Sequence, residues 1–243
     1  MGLLDNKVCL VTGANKGIGR AIAGRFAAEG AIVYANARAE GSLDELVSNH
    51  PNLHPLYFDV TDAQGAKEAV MKIKSEQQRL DVLVNNAGMV TYEMLGMVNM
   101  DTFRQMFEVN VVGTIQLMQL ATRLMTRQQS GSIINMASIV GDKGAKGQLS
   151  YAATKGAVIA ATKSAAKEFA AQNIRVNAVA PGMVGTERFT EVFEKNFSDR
   201  IQQVGMGRLA TPEEIANTCV FLASDLSSYV TGEIIGVNGS TVI

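Results

Sequence analysis

The stretch Val8-Cys9-Leu10-Val11-Thr12-Gly13-Ala14-Asn15-Lys16-Gly17-Ile18-Gly19 decides the fold. Its apolar first half has the length of a buried strand. Glycines at 13, 17 and 19 permit a tight turn, close approach of a ligand to the backbone, and close packing of a helix on the strand. From 18 to 29 the spacing of Ile18, Ala21, Ile22 and Phe26 predicts that helix, and Gly30 is placed to end it. Strand, turn and helix in this order set free N–H groups where a phosphate can be held. The turn residues Gly13, Asn15, Lys16, Gly17, Ile18 and Gly19 are therefore candidate contacts to a nucleotide.

The alternation continues outward from this unit. Apolar runs at 31–36, 53–58, 81–85, 132–136, 175–179 and 233–237 read as strands, and periodic segments at 42–48, 62–78, 101–128, 151–171 and 212–224 read as helices. Asp101 is placed to cap the long helix, whose apolar stripe is Phe103, Phe107, Val111, Ile115, Met118 and Leu124. Thr211 and Pro212 open the last helix as cap and first-turn residue. The pattern predicts a doubly wound α/β fold, a mostly parallel, Rossmann-like sheet with helices on both faces. We read one dinucleotide-binding domain over 1–243, with a substrate loop or lid at about 186–204. Such sheets bind ligands beyond the carboxyl ends of their strands, where the Gly-rich turn, Asn85, Ser138 and Pro181 all fall.

Composition narrows the partners. A hydrophobic fraction of 47% with 23 Gly and only 4 Pro belongs to a packed globular chain. A net charge of −1 gives no global field toward nucleic acid or an anionic membrane. The first residues show no leader pattern and no apolar run reaches membrane-spanning length, so a cytoplasmic protein is expected. Cys9 and Cys219 lie far apart in apolar surroundings and read as reduced core thiols. His50 and His54 have no acidic or thiol companions nearby in sequence, so no metal is expected.

Tyr151 and Lys155, four apart on a predicted helix, present a phenol and an ammonium on one face. A neighbouring cation favours phenolate and lowers the phenol from about 10 toward the range of proton transfer. At the end of the second strand an NAD enzyme places an acid for the ribose hydroxyls. Here Arg38 stands instead, with Lys16 in the turn, which favours a 2′-phosphate and hence NADP(H). Asp59 and Val60, after the third strand, are placed to reach an adenine edge.

Together these motifs resemble the short-chain dehydrogenase/reductase family along the full chain. Its marks are the TGxxxGxG turn from Thr12 to Gly19, Asn85-Asn86-Ala87-Gly88, and Asn110 in the long helix. Ser138 thirteen residues before Tyr151, the Tyr151/Lys155 pair, and Pro181-Gly182 with downstream Thr186 complete them. The resemblance implies hydride transfer between NADP(H) and a carbonyl carbon while Tyr151 exchanges the proton on oxygen. It implies that Ser138 holds that oxygen, that Lys155 binds the nicotinamide ribose and lowers the Tyr151 pKa, and that Asn110 fixes a water in a proton relay. Asn86, Ala87, Gly88, Pro181, Gly182, Val184 and Thr186 are implied cofactor contacts.

Within the family, Gly147-Gln148, Met206-Gly207-Arg208-Leu209 and Val230-Thr231-Gly232-Glu233 are similar to the 3-oxoacyl-acyl-carrier-protein reductases. That similarity implies a 3-oxoacyl thioester substrate, acyl carrier protein as a partner, and a homotetramer. Gln129 and Gln172 depart from it, standing near where those reductases often carry docking arginines, and Gly205 replaces a Pro. Lys143 and Lys146, between Ser138 and Tyr151, would favour an anionic substrate or a thioester carrier at the mouth of the site. The family also holds dehydrogenases of sugars, steroids and small hydroxy compounds, and non-catalytic cofactor sensors or scaffolds. The presence of all four of Asn110, Ser138, Tyr151 and Lys155 argues against the last group.

Overall fold

A computed structural model describes residues 2–187 and 198–242. The strands are β1 (Val8–Val11), β2 (Ile32–Ala37), β3 (Leu53–Tyr57), β4 (Val82–Asn85), β5 (Gly131–Met136), β6 (Ile174–Pro181) and β7 (Ile234–Val237). They form one sheet in the order β3-β2-β1-β4-β5-β6-β7, and every neighbouring pair is parallel. Among the described residues the α-helices are α1 (Gly17–Ala28), α2 (Asp44–Asn49), α3 (Ala63–Gln77), α4 (Met100–Phe107), α5 (Gly113–Gln128), α6 (Val140–Lys143), α7 (Leu149–Phe169) and α8 (Pro212–Ala223).

Alternation along each strand separates two cores. Cys9 and Val11 of β1 face Ile22 and Phe26 of α1 and Ile215 and Cys219 of α8, whereas Val8 and Leu10 face α3, α5 and α7 on the other side. Both cysteines are buried and free. The sheet reverses its winding between β1 and β4, so the crevice above their carboxyl ends lies at the switch point where such sheets take ligands.

Three elements differ from the sequence reading. Asn99, not Asp101, caps α4: its Oδ1 accepts from the backbone N–H of Asp101 and Thr102 at 2.9 and 3.0 Å. Asp101 sits in the first turn, where its carboxylate pairs with Arg104. Asn99→Ala is expected to cost about 1 kcal/mol of stability, measured by denaturant unfolding. The long helix is also interrupted, because Glu108–Val112 forms a π-helical turn between α4 and α5. The expected stripe is therefore broken: Ile115 is exposed while Met106, Leu117 and Met125 are buried. Strand β6 runs beyond the expected 175–179, from Ile174 through Pro181. Thr211 does cap α8, in a capping box with Glu214. Residues 188–197 of the expected lid lie outside the described residues.

Candidate active site

The Gly-rich turn is held in place by the strand ends beneath it. Gly13 and Gly17 have φ of +63° and +54°, which favour glycine. Thr12 and Asn86 stitch the turn to the end of β4: Thr12 Oγ1 accepts from the N–H of Asn86 and Ala87, both at 2.9 Å, and Asn86 Nδ2 donates to Thr12 O at 2.8 Å. From β2, Asn36 Oδ1 accepts from Gly13 N at 3.3 Å while its amide donates to Phe58 O at 2.9 Å. The loop after β6 closes the far side, where a Cβ on Gly17 would come within 3.2 Å of Thr186 Cγ2.

Above this turn opens a cavity of about 630 Å³. All eighteen cofactor candidates read from the sequence line it, Gly13, Arg38, Asp59, Gly88, Gly182 and Thr186 among them. Tyr151 and Lys155 are among the eighteen, and Ser138 lines it as well. Asn110 does not. Its buried amide is spent on Met89, accepting from N at 2.8 Å and donating to O at 2.9 Å, and on Thr154 Oγ1 at 3.0 Å.

The two titratable groups of α7 differ from the sequence expectation. Lys155 Nζ donates to Met136 O at 2.6 Å and lies 5.6 Å from the centroid of the Tyr151 ring. Burial pushes its pKa down to about 8. Burial and the neighbouring Tyr92 push the Tyr151 phenol up to about 12, against the hydrogen bond with Ser138 that lowers it. The expected lowering by Lys155 is not found: the groups that act on the phenol are Tyr92 and Ser138, and burial dominates for both Tyr151 and Lys155.

At the outer end, Arg38 and Lys16 are exposed on the cavity rim. Arg38 Nη1 lies 3.7 Å from Asp59 Oδ2, and Asp59 also accepts from Thr61 N and Oγ1. Burial pushes Asp59 up, but the Thr61 bonds and Arg38 outweigh it and its pKa falls below the usual value. An acid thus does stand beside Arg38, supplied by the turn after β3. Neither Lys143 nor Lys146 lines the cavity; Lys143 is paired with Asp142 at 2.8 Å, and both of these side chains are about two-thirds exposed.

Asn36, Tyr92, Gln105 and Gln148 line the cavity without having been predicted as site residues. Asn36 left a signal, a polar side chain within an apolar strand. Tyr92 left none, since its loop has no period. Among the described residues, no cluster of His, Cys, Asp or Glu could hold a metal, and no helix is long and apolar enough to cross a membrane.

Comparison with known proteins agrees with this geometry. The sequence model of the family described as enoyl-(acyl carrier protein) reductase matches residues 13–240. The chain is 43% identical over 244 residues to the 3-oxoacyl-[acyl-carrier-protein] reductase FabG of Thermotoga maritima, covering 99% of both chains. It is 37% identical to the protein of the same name from Aquifex aeolicus, over 97% of each chain. With that of Staphylococcus aureus strain N315 it shares 40% identity, over 96% of this chain and 97% of the relative. The chain belongs to the short-chain dehydrogenase/reductase family, as an oxidoreductase acting on CH–OH groups.

Proposed function

We propose that this chain reduces the 3-oxo group of a 3-oxoacyl thioester to a hydroxyl with NADPH, in fatty acid biosynthesis. The observation that carries the reading is the convergence of Ser138, Tyr151 and Lys155 on one cavity floored by the Gly-rich turn. Burial pushes the Tyr151 phenol up to about 12, so it can donate a proton to a carbonyl oxygen at neutral pH. The names of the three relatives supply the substrate class.

The residues fit a dinucleotide. The turn residues Gly13 to Gly19 and the N-terminal residues of α1 line the cavity, where their backbone N–H groups would meet a pyrophosphate. Arg38 and Lys16 would hold the 2′-phosphate, Asp59 and Val60 the adenine, and Val184 and Thr186 the carboxamide. Lys155 would hold the nicotinamide ribose. Bound there, the nicotinamide supplies the hydride. Ser138 then donates a hydrogen bond to the substrate oxygen, and Tyr151 delivers its proton to that oxygen as negative charge develops. Asn110 fixes the Met89 backbone and Thr154, and so positions the wall around Tyr151.

The same reading includes acyl carrier protein as the thioester carrier and a homotetramer in the cytoplasm. Exposed Val112 and Ile115 on one side, and Leu226 and Tyr229 near the C-terminus, support self-association.

The test is NADPH consumption with a short 3-oxoacyl thioester, assayed beside a panel of sugar, steroid and simple ketones with both nicotinamides. A protein that binds NADPH yet reduces none of them would support a cofactor sensor and sink the proposal. Arg38→Ala should lower the NADPH-to-NADH ratio of kcat/KM by about tenfold to a hundredfold, the worth of one charged hydrogen bond. An unchanged ratio would remove Arg38 from the cofactor site.

A further inference from the structure

We infer that the surface formed by Met94, Leu95 and Met97 is the subsite for the apolar tail of the substrate, an inference that rests on the 3-oxoacyl reading above. Five of the chain's 12 methionines fall between Met89 and Met106. Met106 is fully buried and anchors the segment, whereas Met94, Leu95, Met97 and Met100 are 50, 70, 78 and 52% exposed. Isolated apolar side chains on a surface need no explanation, but four large ones within seven residues form a patch of the kind that marks a binding site.

The position of the patch indicates its occupant. The chain lines the reaction cavity through Met89, Val90 and Tyr92 and then turns outward into the 3₁₀ turn Leu95–Met97. It is fastened to the loop before α7 where it leaves. Glu93 N donates to Gly147 O at 2.8 Å, and Glu93 bridges Gln148, which lines the cavity. The Met94 sulfur lies 3.9 Å from where a Cβ on Gly147 would be. Met94, Leu95 and Met97 lie outside the cavity lining itself, but they follow Tyr92, which lines it, within five residues, and a chain extending from a carbonyl at Tyr151 past Tyr92 is directed toward them. Their side chains suit a ligand of variable length, because methionine is unbranched, polarizable and free to repack. Complete burial of a methylene is worth about fourfold in binding; a surface covering one side gives about half that free energy, or about twofold per methylene.

The experiment compares kcat/KM for four-carbon and ten-carbon 3-oxoacyl thioesters in the wild type and in Met94→Ser/Met97→Ser. The wild type should prefer the longer thioester, and the variant should lower the ten-to-four-carbon ratio about tenfold. NADPH affinity and the thermal midpoint are followed alongside. A ratio that the variant preserves, or a wild type indifferent to length, overturns the subsite while leaving the proposed function standing. Failure of the wild type on both thioesters overturns the proposed function and the subsite with it. A fall in the ratio accompanied by a change in sedimentation assigns the methionines to a contact between copies of the chain and likewise overturns the subsite.

Discussion

Tyr151→Phe is expected to lower kcat by about 10²–10⁴-fold while leaving NADPH affinity within about twofold, the range for loss of a positioned proton donor. At 1.36 kcal/mol per tenfold, this is about 3–5 kcal/mol of transition-state stabilisation. The substitution keeps the ring against which Lys155 lies and removes only the hydroxyl that Ser138 meets. The fold should therefore be unchanged, and thermal melting alongside steady-state kinetics checks it. A variant that kept most of its activity would show that the proton reaches the substrate by another route, and the mechanism above would be wrong.

Gly19→Ala is expected to abolish measurable NADPH binding and to cost about 3 kcal/mol of stability, at the upper end for overpacking a close contact. A Cβ at this position would overlap both the Gly13 carbonyl oxygen and the Asn86 amide nitrogen, with the Gly13 carbonyl carbon at 2.8 Å. Neither neighbour can yield freely. Gly13 holds a left-handed φ, and the Asn86 amide is bonded to Thr12 O and Gly13 O. The turn must therefore shift as a unit, out of register with the α1 N-terminus. Fluorescence titration with NADPH and denaturant unfolding measure the two effects. Gly96→Ala serves as a control, since nothing lies within 4 Å of its added Cβ.

The sequence carried most of the sheet because each strand sits at the crossing of two strong signals, an apolar run and a turn or cap that ends it. Val8–Val11 followed by three glycines could hardly be read otherwise, and Thr211-Pro212 marked α8 through its capping chemistry. The long helix departs from an unbroken period of 3.6 at a point its sequence does not mark. The π turn at Glu108–Val112 has no composition of its own, and each residue of an α-helix advances about 100°, so one extra residue suffices to move Ile115 out of the buried stripe.

At the site, residue types at fixed spacing were legible. Their electrostatics were not. Nothing in the spacing of Tyr151 and Lys155 reports how far both are desolvated, nor that Tyr92 stands near enough to oppose ionisation of Tyr151. The acid beside Arg38 was likewise hidden, because Asp59 arrives from 21 residues further along the chain.

The π turn also has a mechanical consequence. Asn110, at its centre, grips both backbone groups of Met89 and the hydroxyl of Thr154. Met89 begins the loop that leaves the cavity, and Thr154 lies between Tyr151 and Lys155 on α7. The loop cannot move outward at Met89 without breaking two bonds to one amide or dragging the helix that carries the proton donor. Strain applied at the loop is therefore felt at the reacting oxygen, through a linkage one side chain long.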